Sequence, residues 1–133
     1  LAGSLAAVPS RGVEKSITGQ IIGRSLYVDG DIWSASTTFS TSGTVKGHAI
    51  YVYNHVGLQS GWMMDTSIQL YRQTDQFGGV VTRTSLMVRG SYRLKDQWTF
   101  DVDAGIERIN NSGTQVNTSD LRFFTSAGVR WDF

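Results

Sequence analysis

Residues 121–133, Leu-Arg-Phe-Phe-Thr-Ser-Ala-Gly-Val-Arg-Trp-Asp-Phe, decide the fold. One parity carries Leu121, Phe123, Thr125, Ala127, Val129, Trp131 and Phe133. The other carries Arg122, Phe124, Ser126, Gly128, Arg130 and Asp132. A period of two, with one apolar face and one charged or small face, is the pattern of a β-strand. The alternation runs to the last residue with no solvated tail, whereas the ends of soluble domains fray unless held.

Working back from this stretch, the pattern recurs. Trp98, Phe100, Val102, Ala104 and Ile106 alternate with Thr99, Asp101, Asp103, Gly105 and Glu107. Leu86, Val88, Gly90, Tyr92 and Leu94 alternate with Arg83, Ser85, Met87, Arg89, Ser91 and Arg93. Trp62 to Thr74 is a further strand, with Trp62, Met64, Thr66, Ile68 and Leu70 on one face. Strands are also expected near Val45 to Val56 and Leu26 to Thr38, and more weakly over residues 13–22. The connections are Ser40–Thr44, Gly57–Gly61, Asp75–Val81 with Gly78-Gly79, Lys95-Asp96-Gln97, and a long polar one from Asn110 to Asp120. Six strands are expected, and up to eight. They exceed the usual mode of about 5–6 residues and reach the about 9–11 residues a tilted strand needs to cross a bilayer.

Composition agrees. The 133 residues form one domain-sized chain with 15 glycines and one proline. Four tryptophans, five tyrosines and six phenylalanines suit a β-protein with many turns. A net charge of +1 gives no polyanion-binding patch, so no nucleic-acid partner is expected. The absence of cysteine removes disulfides and thiolate chemistry. No apolar run is long enough for a transmembrane helix. Leu1-Ala2-Gly3-Ser4-Leu5-Ala6-Ala7-Val8 lacks the basic start and apolar core of a signal peptide. The expectation is a processed protein or a piece of a longer one. Residues 1–25 are expected to be an indistinct N-terminal segment or the first strand or strands, and 26–133 the barrel strands.

The large rings indicate which medium each side of the sheet meets. Tyr51, Tyr53, Trp62, Tyr92, Trp98, Phe100, Trp131 and Phe133 are expected on the apolar parity near the short-turn end of their strands. Rings gathered at one level form the girdle of a membrane barrel, whereas a soluble core would spread them. Smaller residues, Thr66, Val88, Val102, Ala104, Ala127 and Val129, fill the middle of the apolar faces. The opposite face is expected to hold a lumenal charge network of Asp65, Arg89, Arg93, Asp101, Asp103, Glu107, Arg122 and Arg130. Pairing Leu94 with Trp98 across the turn sets Arg89 opposite Asp103. Ordinary solvent-facing ion pairs on a soluble sheet are the bland alternative.

The C-terminal stretch resembles the last strand of Gram-negative outer-membrane β-barrel proteins. In that family a terminal Phe, preceded by apolar or aromatic residues at alternate positions, is the signal read by the barrel-assembly machinery. Thr125, Ala127, Val129, Trp131 and Phe133 occupy those places, with Thr125 less apolar than the pattern prefers. The resemblance covers residues 26–133 and implies an antiparallel up-and-down transmembrane β-barrel in the bacterial outer membrane. It also implies short periplasmic turns, with Phe133, Lys95-Asp96-Gln97 and Gly57–Gly61 at that side, and longer external loops. The partners it implies are outer-membrane lipid and the assembly machinery, with further barrel strands or proteins where the chain is part of a larger barrel.

No catalytic constellation emerges. His48 and His55 lie on opposite parities, and neither begins a His-x-Ser. No Asp-x-His occurs. Asp29 with Asp31, and Asp101 with Asp103, are expected to set two carboxylates on one face of a strand, about 7 Å apart. For Asp101 and Asp103 pairing with arginine is the simpler role, while Asp29 and Asp31 have no evident partner. The expectation is therefore no enzyme, cofactor or metal. The chain would be all or the C-terminal part of a pore, porin-like or export channel. A small closed barrel serving as membrane anchor, adhesin or scaffold is the alternative.

Overall fold

A computed structural model describes residues 14–94, 97–113 and 117–132. Seven strands are described: β1 (Lys15–Arg24), β2 (Ile32–Ser42), β3 (Val45–Gly57), β4 (Trp62–Asp75), β5 (Val80–Leu94), β6 (Trp98–Ser112) and β7 (Asn117–Trp131). They form one antiparallel sheet in chain order, and β1 and β7 are its two open edges. Residues 1–13, Lys95, Asp96 and Phe133, which carry parts of the expectations above, lie outside the described residues.

Turn chemistry sets each register. Between β4 and β5, the Asp75 carboxylate accepts from the amides of Phe77 (2.8 Å) and Gly79 (2.7 Å). Gly78 there has φ +82°, which a side-chain-bearing residue rarely adopts. The β5–β6 hairpin pairs Leu94 with Trp98 and Arg89 with Asp103, as the alternation requires. A shift by one residue would send every apolar side chain to the wrong face.

Two boundaries differ from the sequence reading, and the weakly expected N-terminal strand is present as β1. The expected strand over Leu26–Thr38 begins only at Ile32, because residues 25–31 close a loop in which Ser25 (φ +53°) and Gly30 (φ +82°) are left-handed. The weakly patterned N-terminal region supplies β1, paired along its length with β2. The long connection expected from Asn110 to Asp120 is largely strand, since β6 runs to Ser112 and β7 starts at Asn117. Its polar side chains bond across the hairpin instead, Ser119 Oγ to Asn110 Oδ1 at 2.8 Å and Asn111 Nδ2 to Thr118 Oγ1 at 3.3 Å. The expected contrast of short turns at one end and long loops at the other therefore fails. The longest described connection, 25–31, lies at the end shared with Gly57–Gly61 and Gln97.

On β6 the polar parity is sheltered and the apolar parity exposed, whereas β7 is exposed on both faces and on β5 Arg83, Arg89 and Arg93 are exposed. On β6, Thr99, Asp101 and Asp103 are buried or half-buried, whereas Trp98, Phe100, Val102 and Ala104 are exposed. Val56 is the one buried hydrophobic residue among the described residues. The apolar face runs from Trp62 to Leu70 on β4, Leu86 to Leu94 on β5 and Trp98 to Ile106 on β6, with Arg72 and Arg108 beyond it. Bands of that height match the about 9–11 residues of a tilted crossing strand.

Candidate functional site on the polar face

The expected charge network is brought onto one face. Asp65, Arg89, Arg93, Asp101, Asp103, Glu107, Arg122 and Arg130 all project from it, as the registers of β4 to β7 dictate. Asp65, Arg89, Asp103 and Ser126 stand in one row across four strands. Arg89 donates Nε to Asp103 Oδ1 at 2.6 Å, and Ser126 Oγ donates to Asp103 Oδ2 at 3.0 Å. Arg83, absent from the expected network, reaches Glu107 at 3.7 Å. Arg122 and Arg130 turn along their own edge strand to Asp120 (2.9 Å) and Asp132 (3.2 Å).

The row continues onto β3, where the structure corrects the sequence reading. Tyr51 and Tyr53 stand on the polar face, not in the apolar girdle. The register pairs Tyr51 with Gln69, Tyr53 with Ser67 and His55 with Asp65. Tyr53 Oη donates to Asp65 Oδ1 at 2.6 Å, and His55 Nδ1 lies 2.6 Å from the same oxygen. Ile50, Val52 and Val56 take the apolar face instead. Tyr51, Tyr53, Asp65, Ser67, Met87 and Arg89 border a hollow of about 230 Å³. Its chemistry is an acceptor carboxylate, a guanidinium and two phenol rings, suited to holding polar solutes by hydrogen bonds and ring contact. Among the described residues no three His, Asp or Glu side chains converge as a metal site.

Small residues give the face room. A Cβ on Gly105 would fall inside the Phe124 ring, which lies flat across it from β7. The Phe124 ring thus lies along the polar face rather than projecting from it. At Gly47 a Cβ would meet the Ser40 hydroxyl at 2.6 Å, with the Tyr71 ring in ordinary contact beyond it.

The rest of the girdle stays together on the apolar face. Trp62 meets Tyr92 at 4.9 Å between ring centres, and Trp98 stacks on Trp131 at 5.4 Å. Phe100 pairs with Tyr92. Trp33, which the sequence reading passed over, joins them on β2 at the same end, because Trp33 pairs with Asn54 of the apolar parity. Thr125, Ala127, Val129 and Trp131 lie on the exposed apolar face of β7. Phe133 lies outside the described residues.

Asp29 and Asp31 do not share a strand face. Both fall in the 25–31 loop, where the Asp31 carboxylate, 2% exposed, accepts from three successive amides and the Trp33 indole. The Ser25 hydroxyl lies 3.5 Å from Asp29 Oδ1. Comparison of the chain with models of protein families, with curated proteins and with solved structures found no match in any of the three.

Proposed function

We propose that the chain is all or the C-terminal part of an outer-membrane β-barrel, with its apolar face toward lipid and its polar face lining a pore or export channel. One observation carries this reading: on β6 the charged parity is the sheltered one and the apolar parity the exposed one. A water-soluble protein places its apolar residues inside, and an apolar band of this extent calls for a non-aqueous neighbour. The ring belt supports the bilayer as that neighbour, since amphipathic rings favour the headgroup level. On this reading the Arg89–Asp103 and His55–Asp65 pairs line the interior, and the chain performs no catalysis and holds no cofactor.

A channel fits better than a filled barrel because the Phe124 ring lies along the wall over Gly105. Eight strands would leave an interior that side chains fill, whereas about 16 leave an aqueous passage. The small anchor, adhesin or scaffold draws on Met87, Tyr51 and Tyr53, whose bulk also faces that side.

The test is site-directed spin labelling of the full chain in lipid vesicles, which its lack of cysteine makes clean. A nitroxide at Val102→Cys is expected to collide with oxygen dissolved in lipid, and one at Asp101→Cys with an aqueous nickel chelate. Water contact at Val102 would overturn the reading. Conductance across a planar bilayer then separates a channel from an anchor.

A further inference from the structure

We propose that the loop of residues 25–31 is an interfacial anchor, inserting Leu26, Tyr27 and Val28 into the boundary between lipid headgroups and acyl chains. The inference rests on the lipid-facing reading above.

The loop is built inside out. Asp31 Oδ1 accepts from the Leu26 amide at 2.8 Å, while Oδ2 accepts from the amides of Tyr27 (3.0 Å) and Val28 (3.2 Å) and from Trp33 Nε1 (2.9 Å). The Asp31 amide bonds back to the Val28 carbonyl at 3.0 Å, and the Ser25 hydroxyl accepts from the Gly30 amide at 3.0 Å. The Asp31 carboxylate thus faces inward, while Ser25 and Asp29 stay at the surface with the apolar side chains that are pushed out: Leu26 is 63% exposed, Tyr27 87% and Val28 49%. A connection made for water shows the reverse arrangement.

Continuity with the apolar face identifies the occupant. Leu26 folds over Gly23, whose absent side chain leaves the space; a Cβ there would lie 2.9 Å from Leu26 Cδ1. Gly23 pairs with Trp33 on the apolar side of the sheet. The Tyr27 ring lies 5.9 Å from the Trp33 ring. The tip therefore prolongs the ring belt past the strand ends, where an amphipathic element lies with its apolar groups about 5–10 Å into the interface. Burial disfavours the charged Asp31, but the four donors around it outweigh that and hold its carboxyl below the ordinary value of 3.8. The scaffold of the tip is thus ionised at neutral pH.

The test places a nitroxide at Tyr27→Cys in the full chain, reconstituted in phosphatidylcholine–phosphatidylglycerol vesicles, with Val102→Cys as the reference. The expected result is a depth about 5–10 Å below the phosphates at residue 27 and a greater depth at residue 102. Lipid contact at 102 with bulk water at 27 would overturn the anchor and leave the barrel reading standing. Water at 102 would overturn the barrel reading whatever residue 27 reports. A label at 27 shielded from both oxygen and the nickel chelate would assign the tip to a protein partner and overturn the anchor. Asp31→Asn, which keeps the shape and removes the charge, is expected to shift the residue 27 label toward water without moving the residue 102 reading. An unmoved residue 27 would show that Asp31 does not position the tip.

Discussion

Glycine and ring meet at Gly105, and one added methyl group there has a definite consequence. Gly105→Ala drives its Cβ into the Phe124 ring and is expected to cost about 1–3 kcal/mol, as overpacked sites do. Phe124→Leu in the same chain should recover most of that loss, measured by urea unfolding in detergent or lipid. The Arg89–Asp103 pair gives a second test at this scale. Arg89→Asp or Asp103→Arg alone sets like charges opposite each other and is expected to lower the folded yield. The exchange of both should restore it, and no recovery would mean the 2.6 Å contact contributes nothing. This pair was legible from residues alone, because the three-residue turn and the alternation on both sides admit one register. Tyr51 and Tyr53 were legible by the same rule. Val56 meets Met64 across the Gly57–Gly61 connection, so even positions pair with even ones and the tyrosines fall on the polar side. What hid them was chemistry: a phenol is apolar enough to suit either face, and Asn54 interrupts the apolar parity. Asp31 was not legible, since its donors are backbone amides that any sequence possesses.

Whole strands extend as far as their ladders do, past the ends of their apolar bands. On β6 and β7, Val102 and Val129 are exposed on the apolar face, and Val102→Arg or Val129→Arg is expected to cost about 2–4 kcal/mol if they lie at the bilayer centre. Asp101→Arg, one position away on the other face, should be milder, so refolding into lipid vesicles distinguishes the two sides of one strand. The ends of β6 and β7 misled the sequence reading for a physical reason. Asn110, Asn111, Ser112, Asn117, Thr118 and Ser119 have loop composition, yet their side chains bond across the hairpin and prolong it. Polarity marks where the apolar band stops, not where the ladder stops. The 25–31 loop misled in the opposite sense, because Leu26, Tyr27 and Val28 look like the start of a strand. Protonation of Asp31 tests this element too. A carboxyl held below its ordinary value stabilises the loop above about pH 4 and releases it as pH falls through the lowered value. A label at residue 27 should therefore keep its position from neutrality to mild acid and lose it only in stronger acid.

At the scale of the molecule, the proposed assembly signal separates making the chain from placing it. Deletion of Phe133 is expected to leave synthesis normal and to reduce insertion into the outer membrane; insertion at the undeleted level would sink the signal. The open edges carry a further consequence. In an antiparallel succession each strand reverses the one before, so the first and seventh point the same way. Joined directly, β1 and β7 would form the only parallel ladder in an otherwise antiparallel wall. A second copy standing in the same orientation would meet the same misfit, because its β1 would also point along the first copy's β7. Strands that close this wall with antiparallel ladders alone must therefore be odd in number, beginning and ending opposite in sense to both edges.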